Sequence, residues 1–389
     1  MKKITNNLLF RVIVAIVLGV GLGTIMPDWL GRFFATFNGI FDQLLKFLIP
    51  LIIVGLIVPA IAKLGDAAGK LLLATVGIAY GSTLFAGLST YGISMSVFPK
   101  LLESQINEPI KESSSAAFEP YFSIEFLPFF DVMPALVFAF LVGIGLARLG
   151  TSTLGQVAED FGNIISFLIE KLIIPLLPLF IFGIFLDMTH AGKVTAILHV
   201  FLKIIGVIFL MHILLLVFQF IIAGAFAKKN PFKLLGTMMP AYFTALGTQS
   251  SAATIPVTLA QAKKAGVHDE IADFSVPLCA TIHLAGSTLK IVACVIALML
   301  MQGMSVEFVP MLGFIAMLGV TMIAAPGVPG GAIMAAIGII SSMLGFDAEN
   351  QALMISLYIA MDSFGTACNV TGDGAIAIVL SSIFKKVEE

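Results

Sequence analysis

Most of this sequence is a succession of apolar stretches, each close to or beyond the roughly 20 residues that a helix needs to cross a bilayer. They run over 8–28, 33–63, 68–99, 129–149, 153–189, 194–228, 271–302 and 350–384. Two more, 232–262 and 309–345, are as apolar but are interrupted near their middles by polar or Gly/Pro residues. Lipid offers no partner to a backbone N–H or C=O, so such a chain crosses the membrane as helices. Composition agrees: 11% of residues are charged, against about 25% in soluble domains, and the mean hydropathy is +1.07. With 21 basic and 23 acidic residues there is no excess of positive charge to attract nucleic acid. Cys279, Cys294 and Cys368 all lie in apolar segments without metal-ligand spacing and read as free thiols. Lys2 and Lys3 precede an apolar run with no small-residue cleavage site, so that run reads as an uncleaved first span.

Charge placement sets the expected topology. With a cytoplasmic N-terminus, Lys2, Lys3, Lys63, Lys70, Arg148, Lys228, Lys229, Lys233, Lys263, Lys264, Lys385 and Lys386 share the inner side. Arg32, Lys100, Lys111 and Lys193 face out, beside an acidic loop carrying Glu103, Glu108, Glu112, Glu119 and Glu125. The asymmetry survives only if each interrupted stretch enters and leaves on the same side. The expectation is therefore an all-α integral membrane protein: eight transmembrane helices plus two oppositely oriented re-entrant hairpins, arranged as inverted repeats.

Polarity inside the apolar stretches marks a candidate site. The first break reads TQSSAATIPVT, with Ser250 and Ser251 at a half-helix start whose free N–H groups suit a carboxylate. The second reads APGVPGG, which cannot continue a helix. Asp362, Thr366, Asn369 and Asp373 are spaced i, i+4, i+7 and i+11, one stripe of one helix. Acids at such depth face a cavity or a partner. In CATIHLAGSTLK, His283 and Lys290 are seven residues apart, and both residue types can titrate when buried. The only arginines are Arg11, Arg32 and Arg148, so no Arg–carboxylate clamp is available in the second half. The hairpin serines have no sequence-local base, which argues against a hydrolase.

Four motifs resemble the dicarboxylate/amino acid:cation symporter family, the glutamate-transporter homologues: SSAATIPVT, TIHLAGS, GVPGG and DSFGTACNVTGD. The resemblance covers nearly the whole chain. It implies a homotrimer with a scaffold (mainly 8–63 and parts of 129–228) and an elevator-like transport domain (mainly 68–99 and 232–385). It implies that Asp362 binds the substrate amino group, that Asn369, Thr366, Ser250 and Ser251 contact the substrate, and that Val328 and Gly330 form the gate tip. Asp373, with backbone around Cys279, His283 and Asn369, matches one sodium site. Thr281, with Met322, Ile323 and Ala325, matches another.

The departures narrow the substrate. Acidic-substrate members place arginine where this chain has Gly365, and a related arginine is Gln249. A third sodium site is altered, with Ala285 for the motif acid and His283 for its asparagine, although Ser82 and Thr83 remain. The pattern is most similar to the serine/threonine branch. The expected function is import of a neutral L-amino acid with Na⁺, with no cofactor, at the bacterial inner membrane with both termini cytoplasmic. The alternatives are proton coupling through His283 and Lys290, an acidic amino acid or dicarboxylate substrate, and a ligand-gated anion channel.

Overall fold

The computed structural model describes residues 8–66, 70–103, 118–129, 131–192, 194–327 and 329–384. Lys2, Lys3, Glu108, Lys111, Glu112, Lys193, Lys385 and Lys386, which enter the topology argument, lie outside them. The described residues are helical with connecting turns and contain no strand. In chain order the helices are α1 (Leu8–Leu22), α2 (Asp28–Asp66), α3 (Lys70–Leu101), α4 (Val132–Leu149), α5 (Thr153–Leu168), α6 (Ile174–His190) and α7 (Val194–Ala227). A π-helical turn, Ile169–Ile173, joins α5 to α6 without a break. Then follow α8 (Pro231–Thr248), α9 (Ser251–Lys264), α10 (Asp269–Ile282), α11 (Ala285–Met301), α12 (Phe308–Ala324), α13 (Gly331–Leu344), α14 (Ala348–Ala360) and α15 (Asp362–Phe384).

Every apolar stretch read from the sequence is helical, and the two interrupted ones break where expected. Gln249 ends α8 in the left-handed region with φ 54°, and Ser250 caps α9 by accepting from the Ala253 N–H. Between α12 and α13 the chain turns through Pro326, and Gly330 adopts φ 74°. Boundaries differ at the first span: α1 stops at Leu22 rather than 28, ahead of Gly23 and Pro27. α2 starts five residues earlier than expected, at Asp28, and runs through Pro50 and Pro59.

Two stretches read as single spans are each divided. His283, extended, and Leu284, non-helical, separate α10 from α11, and Met361 interrupts α14 and α15. Apolar periodicity cannot see a one- or two-residue break, because the apolar pattern resumes immediately. Six helices among the described residues are long and apolar enough to span, when α5–α6 and α10–α11 are each taken as continuous. α1 has 15 residues, about 22 Å at 1.5 Å per residue, short of a hydrocarbon core of about 30 Å.

Helices α1, α2, α4, α5 and α6 pack mainly on one another. α15 is the hub of the second half, contacting α7, α8, α9, α10 and α11. The difference shows in burial. α11 is buried along nearly its whole length, while α5 and α7 expose Phe167, Leu210, Ile213 and other large apolar side chains on a face suited to lipid. Cys279, Cys294 and Cys368 are buried free thiols.

Candidate functional site

The two hairpin tips meet. Ser250 Oγ donates to the Gly327 carbonyl at 2.9 Å, which joins the first tip to the second. Gln249 Nε2 donates to Ser363 Oγ at 2.9 Å, which joins the first tip to the start of α15. Gly330 N–H donates to Asp362 Oδ2 at 2.8 Å, which joins the second tip to the same place. Ser251 opens α9 and is buried. Val328 lies outside the described residues.

Below the tips, the non-helical pair His283–Leu284 frees backbone groups that need partners. Asn369 supplies them from α15. Its Oδ1 accepts from the Gly286 and Ser287 N–H groups at 2.8 and 3.3 Å, and its Nδ2 donates to Ser287 Oγ at 3.1 Å. His212 of α7 donates from Nε2 to the Gly286 carbonyl at 3.1 Å. The buried α11 start is thus capped by Asn369 of α15, while His212 of α7 holds the Gly286 carbonyl.

The expected stripe on α15 is present, with Asp362, Thr366, Asn369 and Asp373 all buried. The sequence shows no base near either acid, yet the broken α10–α11 helix delivers one to each. Lys290, wholly buried on α11, places Nζ 3.2 Å from Asp362 Oδ1. The same amine lies 3.4 Å from the Met361 carbonyl and 3.6 Å from the centre of the Tyr358 ring, a cation–π contact. His283 places Nδ1 2.9 Å from Asp373 Oδ1, and its Nε2 is 3.0 Å from Ser82 Oγ. Gln219 of α7 donates to that hydroxyl at 3.0 Å. A neutral imidazole with its proton on Nδ1 satisfies this chain: Gln219 to Ser82, Ser82 to His283, His283 to Asp373. Asp373 Oδ2, buried, has no hydrogen-bond partner among the described residues.

Glycines make both contacts possible. A Cβ at Gly365 would overlap Lys290 Cε and sit 2.6 Å from Nζ. A Cβ at Gly372 would sit 2.9 Å from His283 Cε1 and 2.8 Å from Gln219 Oε1. Gly365 therefore accommodates Lys290 as well as lying where an arginine is absent.

The remaining expected residues fall on a separate wall. Thr281, Ile323 and Ala325 line one cavity of about 490 Å³ between α2, α5 and the second hairpin. Thr281 Oγ1 donates to the Leu278 carbonyl at 2.7 Å, and Met322 is buried beside them with its carbonyl accepting from Ala325 N–H. The Cys279 carbonyl accepts from the His283 N–H at 2.8 Å. Tyr358, Gln219 and His212 were not singled out by sequence. The last two are seven residues apart on an otherwise apolar helix, a spacing that puts both on one face.

A family model for the sodium:dicarboxylate symporter family matches residues 8–383. The chain belongs to that family. Two curated relatives are similar across nearly their whole lengths. The serine/threonine transporter SstT of Acinetobacter baumannii is 28% identical, covering 94% of each chain. The protein of the same name from Acinetobacter baylyi is 27% identical, covering 97% of this chain and 98% of its own. The chain is therefore an integral membrane symporter with several apolar helices and not an enzyme.

Proposed function

We propose that this carrier imports a small neutral L-amino acid of the serine/threonine kind, coupled to Na⁺. The observation that carries this reading is the unequal state of the two acids of α15. Asp373 meets the His283 imidazole on one oxygen, and its other oxygen has no hydrogen-bond partner among the described residues. A buried carboxylate left so is costly, and a cation is what it lacks. Na⁺ at Asp373 Oδ2, with carbonyl groups around Cys279, His283 and Asn369, completes it. Thr281 with Met322, Ile323 and Ala325 forms a second ion site on the cavity wall.

Asp362 holds the substrate ammonium when Lys290 yields its place. Ser250, Ser251 and the N–H groups at the α9 start take the α-carboxylate, and Thr366 and Asn369 border the substrate. Val328 and Gly330 act as the gate. With glycine at 365 and glutamine at 249, no arginine is there to fix an acidic side chain. The similarity to serine/threonine transporters supports the same choice. The reading includes a homotrimer in the bacterial inner membrane with both termini cytoplasmic. Its scaffold lies mainly in 8–63 and parts of 129–228, and an elevator-like transport unit lies mainly in 68–99 and 232–385.

Counterflow in proteoliposomes tests this. Labelled serine should accumulate under a sodium gradient, with saturable co-uptake of sodium, and should be displaced by threonine or alanine. Preference for aspartate or succinate, or for lactate, which lacks the ammonium, would overturn the substrate class. Accumulation driven by a pH gradient without sodium would reassign the coupling ion.

A further inference from the structure

Lys290 stands where an amino-acid substrate would put its own ammonium. Its amine is on Asp362 Oδ1, and the other oxygen of Asp362 is taken by the Gly330 N–H of the second hairpin tip. The chain itself supplies a partner to each oxygen, so a substrate ammonium at Oδ1 competes with the lysine for the same carboxylate charge. The lysine is held loosely: 3.2 Å is longer than the about 2.7–2.9 Å of a tight charge-assisted bond. It also has somewhere to stay. The Tyr358 ring face at 3.6 Å and the Met361 carbonyl at 3.4 Å remain beside the amine when Asp362 is given up. Tyr358 is itself fixed by its hydroxyl on Ser287 Oγ at 3.0 Å.

Resting on the amino-acid reading above, we infer that Lys290 is a resident competitor for the substrate ammonium, a positioning residue that occupies Asp362 whenever the substrate leaves. Two consequences follow. Competition weakens substrate binding, because only the fraction of carriers with Asp362 free of lysine can accept an ammonium. In return, Asp362 is never left as a bare buried charge. Gly330 can then rest on a neutralised carboxylate, and the second tip can close over a site without substrate. Net import needs that cargo-free return in every cycle, whereas exchange of outside for inside substrate does not.

The test compares net serine uptake into serine-free proteoliposomes with exchange against internal serine, for wild type and Lys290→Met. In the variant the ratio of net uptake to exchange is expected to fall, and serine to bind more tightly, each on the order of tenfold. Net uptake and exchange falling in proportion would show a merely structural role and overturn the inference, as would weaker serine binding. Should Lys290→Met fail to fold, Gly365→Ala leaves every charge in place and crowds the Lys290 stem instead. It is expected to lower the same ratio by about threefold, and an unaltered ratio overturns the inference. A wild-type carrier that exchanges no neutral amino acid fails the underlying reading and the inference with it. A wild type that exchanges serine, with variants of unaltered ratio, fails the inference alone.

Discussion

The two acids of α15, Asp362 at its start and Asp373 at its middle, are met by the same parts and finished differently. At each, an acid of α15 meets a base from the broken α10–α11 helix, across a glycine that lets the base approach: Gly365 for Lys290, Gly372 for His283. At the Asp362 end both carboxylate oxygens are engaged by groups of the chain. At Asp373 one oxygen is left without a hydrogen-bond partner among the described residues. A lysine carries a full charge and can neutralise an acid. At Asp373 the partner is an imidazole, which offsets an acid's charge only when both of its nitrogens are protonated. On the proposed reading, the difference separates a place for an exchangeable ammonium from a place for a metal cation.

The comparison is broken most severely at Asp362. Asp362→Asn strands the buried Lys290 amine, and loss of one partner of a buried pair costs about 3–5 kcal/mol. Serine binding by the purified carrier should then fall below detection, together with a clear drop in melting temperature. Asp373→Asn should act on the other species. The half-saturating sodium concentration for uptake should rise roughly 10- to 100-fold, the worth of about 1.5–3 kcal/mol for a charged contact. Gly365→Ala sharpens the Asp362 end by forcing Lys290 aside. Overpacking of this kind costs about 1–3 kcal/mol, read as a lower melting temperature without loss of the sodium response. Gln219→Leu is the mildest. It removes the outermost hydrogen bond of the His283 relay, about 0.5–1.5 kcal/mol, and should change sodium half-saturation a few-fold while serine selectivity holds.

The helices and the two hairpin breaks were legible because apolar length and Gly/Pro punctuation act locally. The stripe Asp362–Thr366–Asn369–Asp373 was legible for the same reason: it is one periodicity on one helix. What the sequence hid was which base meets which acid. Lys290 and His283 are seven residues apart and would share a face of an unbroken helix, yet the helix break at 283–284 sends them to acids eleven residues apart. Gly365 was legible as a missing arginine but not as the space for a lysine stem, since that space is made by a helix distant in sequence. Asn369 likewise reads as a substrate ligand from the motif. Only the fold shows its amide spent on capping α11.

The most direct measurement is serine affinity of the purified carrier as a function of sodium concentration, for wild type and Asp373→Asn. Linkage requires that a cation bound at Asp373 raise affinity at Asp362, and that the effect be reciprocal. The account predicts that serine binding by the wild type tightens steeply with sodium and that this dependence flattens in Asp373→Asn. Wild-type serine affinity that is the same with and without sodium would contradict it.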